Sequence, residues 1–310
     1  MPGLDTVMSG SHDSTTGFGH GKVILLGEHA VVFGHPAVAA GIRAGVRAHV
    51  SPGSGAISSP AWELEAQVGD DSLPGQAVLR LLDSLKVERA SFDFWLESEV
   101  PARAGLGSSA AMAVAIARAV AARTGADEDR VLAAAAAAES IFHRTPSGID
   151  AAAASRGRLG SFDKQSGWKD LPLKAPFDLC VGLSGQSHDT GALVTSVADL
   201  CSTTPVAKRL LDTMGHVAHA GMEALAAGDL DTVARLFNMA HGLLSGVGVS
   251  TSILDELVHL ARSAGALGAK LTGAGGGGAV IALAGGHGEE VLRRWRAKGY
   301  YGFTTTIGSD

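Results

Sequence analysis

Four consecutive glycines, residues 275–278, interrupt an apolar stretch near the C-terminus that reads KLTGAGGGGAVIAL (residues 270–283). Ordering a glycine costs about 0.5–1 kcal/mol more than ordering an alanine, so packing alone does not account for the run. A flexible linker is a poor reading too, because apolar strand-like segments flank it on both sides. The run reads best as backbone that closes against a ligand. Two further glycine-bearing segments stand upstream, GKVILLGEHAVVFG (residues 21–34) and PARAGLGSSAA (residues 101–111). In all, 42 of the 310 residues are glycine, against a usual ~7%. They follow no G-X-Y period, which excludes a collagen-like chain.

Around these segments the periodicities alternate between strand and helix. KVILLG (22–27), AVAA (37–40), GVRAHV (45–50) and SFDFWL (91–96) read as strands, with a turn-rich stretch between Pro52 and Pro60. Helical spacing marks 75–85, 106–123 and an alanine-rich 131–143. Beyond Gly160, strand readings fall at 177–183, 269–272, 279–283 and 300–307. Helices are expected at 190–200, 206–227, 231–244, 252–264 and 289–298. Mixed strands and helices over this length predict an α+β protein of two domains, 17–168 and 169–310, behind a loose polar tail at 1–16.

Charge and composition exclude several classes. The formal net charge is −6, the wrong sign for a non-specific nucleic-acid binder. The two cysteines, Cys180 and Cys201, form no disulfide framework or zinc-spaced cluster. Of the uncharged apolar runs, residues 104–117 are shorter than the ~20 residues of a membrane span, and residues 271–288 are too rich in glycine for a membrane helix. The first residues lack a basic region followed by an apolar core, so no signal peptide is expected. The expectation is a soluble cytoplasmic protein with no nucleic-acid or membrane partner.

Three features carry chemistry. In PARAGLGSSAA a glycine turn opens a helix, where free N–H groups and the positive end of the helix dipole attract anions. Gly105 and Gly107 let backbone approach a phosphate, and Ser108 and Ser109 offer hydroxyls to phosphate or Mg²⁺. The segment is neither a P-loop nor a dinucleotide fingerprint, and an ordinary serine-capped helix start is an equal reading of it alone. In ESIFHRTPSGID (residues 139–150), Glu139 and Asp150 flank a sharp turn and can converge on one metal–phosphate site. Lys22, Glu28 and His29 surround the first apolar strand. Glu28 and His29 taken alone would suit ordinary surface positions.

In order and spacing, GKVILLGEHAVVFGHPAVA, PARAGLGSSAA and KLTGAGGGG together resemble the three motifs of the GHMP kinase superfamily, and GEHAVV with PSGID looks most similar to its mevalonate kinase family. The resemblance implies an N-terminal domain like ribosomal protein S5 domain 2, a ferredoxin-like C-terminal domain, and MgATP-dependent phosphorylation of the mevalonate 5-hydroxyl in isoprenoid synthesis. It implies ATP contacts at Ser98, Ala104, Gly105, Leu106, Gly107, Ser108 and Ser109, and Mg²⁺ held by Ser109 and Glu139. Asp150 would act on the substrate hydroxyl beside Lys22, with Glu28, His29, Thr190, Gly273 and Ala274 near the substrate. Two departures stand out. His20 follows Gly19 where the family usually has Ala-Pro, and SHDT (residues 187–190) lacks the basic residue of some relatives. His188 and Arg144 are the candidates to pair with a substrate carboxylate. Alternatives are another GHMP kinase, acting on phosphomevalonate or a sugar, and a non-catalytic nucleotide- or RNA-contacting module. The charge of −6 and the set Lys22, Ser109, Glu139 and Asp150 count against the second. A homodimer is left open.

Overall fold

A computed structural model describes residues 14–89, 91–142, 148–187 and 189–308. The first of its two sheets has seven strands: β1 (Thr15–Leu26), β2 (Ala37–Pro52), β3 (Ala56–Ser59), β4 (Leu64–Gln67), β5 (Phe92–Ser98), β6 (Leu159–Asp163) and β7 (Gly167–Asp170). β2 is its spine. β1 pairs with it antiparallel over most of its length, while β5 and β6 pair with its two ends. The strands read at 37–40 and 45–50 are therefore one strand of 16 residues. Gly41 and Gly45 within it do not break it, because each lies where a neighbour comes too close for a side chain. An added Cβ would meet Gly157 Cα at 2.4 Å and Gly19 O at 2.3 Å respectively. β1 begins at Thr15, inside the stretch expected to be loose, and the Thr15 hydroxyl donates to Ala119 O.

Helices α1 (Leu73–Leu85), α2 (Ser108–Thr124), α3 (Glu128–Phe142) and α4 (Ile149–Arg156) cover this sheet. α2 is buried almost all round, which explains its uniform run of alanine and small apolar residues. It lies directly on β1 because that strand presents glycine at alternate positions on one face. A Cβ on Gly17 would sit 2.1 Å from Ala115 O, and one on Gly19 2.1 Å from Ala111 O. Glycine against alanine thus replaces the usual side-chain interdigitation and sets the height of the helix above Lys22.

The second sheet has the order β11-β8-β10-β9, all antiparallel: β8 (Phe177–Leu183), β9 (Gly268–Thr272), β10 (Ala279–Leu283) and β11 (Tyr301–Ile307). Helices α5 (Thr190–Thr203), α6 (Pro205–Ala227), α7 (Leu230–Gly246), α8 (Ser252–Ser263) and α9 (Gly288–Ala297) accompany it. Its central strands are apolar without alternation because both faces are covered. Val280, Ala282 and Cys180 pack with Trp295, Leu257 and Val258 of α8 and α9. Ile281, Leu283, Leu179 and Val181 join the core that Leu25, Leu26 and Val38 of the first sheet share with Phe237 of α7. The edge strand β9 is closed by side chains. Asn238 accepts from Ala269 N, Arg262 donates to Ala269 O, and His241 accepts from Leu271 N.

The α2–β1 contact has a simple test. Gly19→Ala should destabilise the protein by about 1–3 kcal/mol, since its methyl must displace helix backbone. An unchanged urea midpoint would show that the helix does not rest on the strand in this way.

Candidate active site

Lys22 stands near the end of β1, just past a register shift between His20 and Gly21. Such a bulge re-aims the side chains beyond it. Its backbone N–H donates to Leu106 O at 2.8 Å, tying the strand to the glycine turn ahead of α2. In that turn Arg103, Gly105 and Gly107 all take left-handed backbone, with φ of 59°, 74° and 73°. Gly107 is doubly constrained: beyond its φ, a Cβ there would lie 2.6 Å from Lys22 Cγ. The turn therefore presents the N-terminus of α2 beside the lysine. Among the described residues neither the Ser108 nor the Ser109 hydroxyl has a partner.

Lys22 Nζ pairs with Asp150 Oδ1 at 2.9 Å, the ammonium buried and the carboxylate one-quarter exposed. Asp150 lies in the first turn of α4, behind the left-handed Gly148 (φ 85°), where the helix dipole favours a negative charge. The sequence pattern predicts no helix there, only a sharp turn ahead of it. Pro146, Ser147, Arg144 and His188 lie outside the described residues. Glu139, on α3, comes up on the same pair from below. It is almost fully buried and leaves Oε1 without a partner among the described residues. Burial, reinforced by the charge of Asp150 and opposed by Lys22, pushes its carboxyl up to about 8.

The second half of the chain closes the site from the other side. Lys270 of β9 is fully buried and forms an ion pair with Glu28, which follows β1. Burial pushes Glu28 up and Lys270 down, toward the neutral pair, and the mutual attraction opposes both shifts. Beside them Thr272 Oγ1 accepts from Ile24 N and donates to Ile24 O, both at 2.9 Å. His29, at φ 56°, donates from Nε2 to Ala274 O at 2.8 Å, because a carbonyl can only accept. That leaves Nδ1 as a buried acceptor with no partner among the described residues, and burial lowers the ring's pKa and keeps it neutral.

These groups surround a cavity of about 780 Å³. Lys22, Glu28, His29, Gly105, Gly107, Ser108, Ser109, Asp150, Thr190, Gly273 and Ala274 all line it. Four of the expected residues do not. Leu106 and Ala104 are buried beneath the turn. Ser98 uses its hydroxyl within its own turn, donating to Val100 O and accepting from Val100 N. Glu139 is buried beside Lys22 and Asp150. In the glycine run only Gly273 and Ala274 line the cavity. Gly275 and Gly277 instead close on protein backbone, where a Cβ would meet Val249 O at 2.2 Å and Gln186 O at 2.7 Å.

Sequence reasoning assigned nothing to Lys270 or to the apolar wall of Trp62, Leu64, Leu73 and Pro74. A lone lysine in the apolar strand AKLT was a usable signal for the first. The wall comes from residues 62–74, past the turn-rich stretch, where the sequence pattern marks no strand or helix.

A glycine-cradled helix N-terminus beside a Lys–Asp pair, in a cleft between two sheets, is a phosphoryl-transfer arrangement. Residues 72–158 match the model of the GHMP kinase N-terminal domain and residues 222–300 that of the C-terminal domain. The chain is 34% identical over 318 residues to the mevalonate kinase of Pyrococcus horikoshii, covering 93% of this chain and 94% of that one. It is 36% identical over 282 residues to that of Aeropyrum pernix, covering 85% and 86%. The mevalonate kinase of L. major, solved in complex with R-mevalonate, superposes with a TM-score of 0.83 at 31% identity over 97% of this chain and 98% of that one. A Lactococcus lactis galactokinase complexed with galactose reaches a TM-score of 0.80 at 18% identity, covering 98% and 96%, and so shares the fold alone. The chain belongs to the mevalonate kinase family of the GHMP kinases, and has their two-domain fold.

The buried carboxyl of Glu139 generates a pH test. Its folded pKa lies above the ordinary carboxylate value, so between that value and about 8 the unfolded chain is ionised while the folded one holds the proton. The stability Glu139 contributes is full at low pH and is lost as pH rises through that window. In EDTA, Glu139→Gln should therefore raise the melting temperature more at pH 8 than at pH 5. Parallel melting profiles across that range would remove the assignment.

Proposed function

We propose that this protein transfers the γ-phosphoryl group of ATP to the 5-hydroxyl of mevalonate. The observation that carries the reading is the Lys22–Asp150 pair, 2.9 Å apart at the mouth of the glycine turn that opens α2. Such a transfer needs positioning and charge neutralisation more than covalent help. The backbone N–H groups at the start of α2, with the Ser108 and Ser109 hydroxyls, hold the phosphates. Lys22 neutralises charge developing on the transferred group and anchors Asp150. The Asp150 carboxylate accepts the hydroxyl proton, or orients that hydroxyl, as the new P–O bond forms. His29 offers its Nδ1 to a substrate hydroxyl, while its other nitrogen fastens it to Ala274. Thr190, Gly273 and Ala274 border the same volume. Ser98 turns its hydroxyl inward and is left out of the nucleotide contacts.

The donors present fit Mg²⁺. Among the described residues one Glu139 oxygen and the Ser109 hydroxyl have no partner, and both are hard oxygens. Mg²⁺ commonly takes one or two protein ligands and completes its shell with phosphates and water. When bound it would neutralise charge on the β- and γ-phosphates. Mevalonate, rather than another alcohol, is supported by the similarity to the Pyrococcus and Aeropyrum mevalonate kinases and by the L. major complex, since the galactokinase shows that the fold alone does not select the substrate. A cytoplasmic location and a lack of nucleic-acid or membrane partners fit the charge. Among the described residues no helix is long and apolar enough to cross a membrane.

A coupled ADP-release assay with mevalonate, phosphomevalonate, homoserine and galactose as acceptors tests the reading. Turnover should appear with mevalonate, and preferential turnover of another acceptor would reassign the substrate. Asp150→Asn should lower kcat by about 10²–10⁴ and leave ATP affinity nearly intact. A loss of less than about threefold, well under that scale, would place the proton chemistry elsewhere in the cleft.

A further inference from the structure

Among the described residues three basic side chains line the cleft: Lys22, His29 and Arg103. Lys22 is committed to Asp150, and His29 is neutral and fastened to Ala274. Arg103 is exposed and has no ion-pair or hydrogen-bond partner among the described residues. It also holds an unusual backbone, with φ of 59°, in a turn whose two other left-handed positions are the glycines 105 and 107. A side chain kept in a conformation that favours glycine points to a use for that side chain.

Its place along the cleft limits that use. Trp62 Nε1 donates to Val100 O at 2.9 Å, which fixes the apolar wall of Trp62, Leu64, Leu73 and Pro74 just ahead of residue 103. Ser108, Ser109 and the Lys22–Asp150 pair follow on the other side. Arg103 lines the same cavity as this wall, a surface suited to a flat apolar base, and belongs to the turn that leads into Ser108 and Ser109 beside the Lys22–Asp150 pair. A nucleotide laid from one to the other passes its non-transferred phosphates beside this guanidinium.

We infer that Arg103 binds the α- and β-phosphates of the nucleotide and holds both ATP and ADP in the cleft; this rests on the reading of the cleft as a nucleotide site. Arginine suits that task because its planar fork matches two phosphate oxygens at once and cannot lose its charge. The contact is present before and after transfer, so it strengthens binding of substrate and product alike and adds little to the chemical step. Removing it should raise KM for ATP and the dissociation constant for ADP together, with kcat held or increased where ADP release limits turnover.

Arg103→Gly is the informative variant, because glycine fits the backbone and the protein should melt no lower than the parent. Titration calorimetry with ADP, AMP and mevalonate is the direct measurement. ADP affinity should fall about tenfold or more, the scale of one lost charge-assisted contact, with AMP less affected and mevalonate within twofold. Arg103→Lys should fall between the parent and the glycine variant. ADP affinity within twofold of the parent would overturn the inference. So would a loss confined to mevalonate, which would place the guanidinium on the substrate carboxylate. Absence of ADP binding to the unaltered protein would instead overturn the nucleotide reading, and this inference with it.

Discussion

The ion pair between Glu28 and Lys270 holds the two halves of the molecule in register. Both side chains are buried, and Lys270 further donates to Leu271 O at 2.7 Å and lies 5.9 Å from the centre of the Phe237 ring. Such a pair is a poor source of net stability, since desolvation consumes much of the attraction. It is a strong source of position, because either charge alone in that core would be far worse. The reciprocal bonds between Thr272 and Ile24 and the bond from His29 to Ala274 run along the same seam. Together they bring the end of β1 against the end of β9, and every cleft residue from either half is placed relative to that seam.

The other determinant is steric. Small residues carry α2 down onto β1, and this brings the start of the helix within backbone hydrogen-bonding distance of Lys22. The same economy of size recurs where Gly278 lies over Ala104, with a would-be Cβ 3.1 Å from its carbonyl oxygen. Side chains of ordinary bulk at these positions would hold the halves apart and open the space between the phosphate-binding turn and the glycine run. Part of the glycine content noted in the sequence is thus a matter of contact between backbones, and at Gly105, Gly107 and Gly273 it is a matter of access to the cleft.

Much of the fold was legible because hydrophobic periodicity was strong. β8 and β10 fall where apolar runs place them, and the helices of the second half differ by a few residues at their ends. What escaped was set by tertiary pairing. β3, β4, β6 and β7 have four or five residues each and little pattern of their own. β2 looked like two strands because its glycines are explained only by neighbours distant in sequence. The helix that carries Asp150 left no pattern because α4 is short and begins at a glycine. Among site residues, motif order pointed to Lys22, Asp150 and the serines of α2. Motif order was silent on which part each glycine plays, which depends on neighbours from other elements, and on the partner of Glu28, which lies some 240 residues away.

The four-glycine run also bears on how a ligand is received. Gly276 N donates to Val249 O, Gly278 N to Gln186 O, and Gly278 O accepts from Ser184 N, so the run is fastened by backbone bonds of 2.8–2.9 Å. A free run of this composition would lose a large conformational entropy at the moment a ligand arrived. Here that loss is incurred during folding. The wall at Gly273 and Ala274 is already set when the substrate enters, and encounter needs no search among loop conformers.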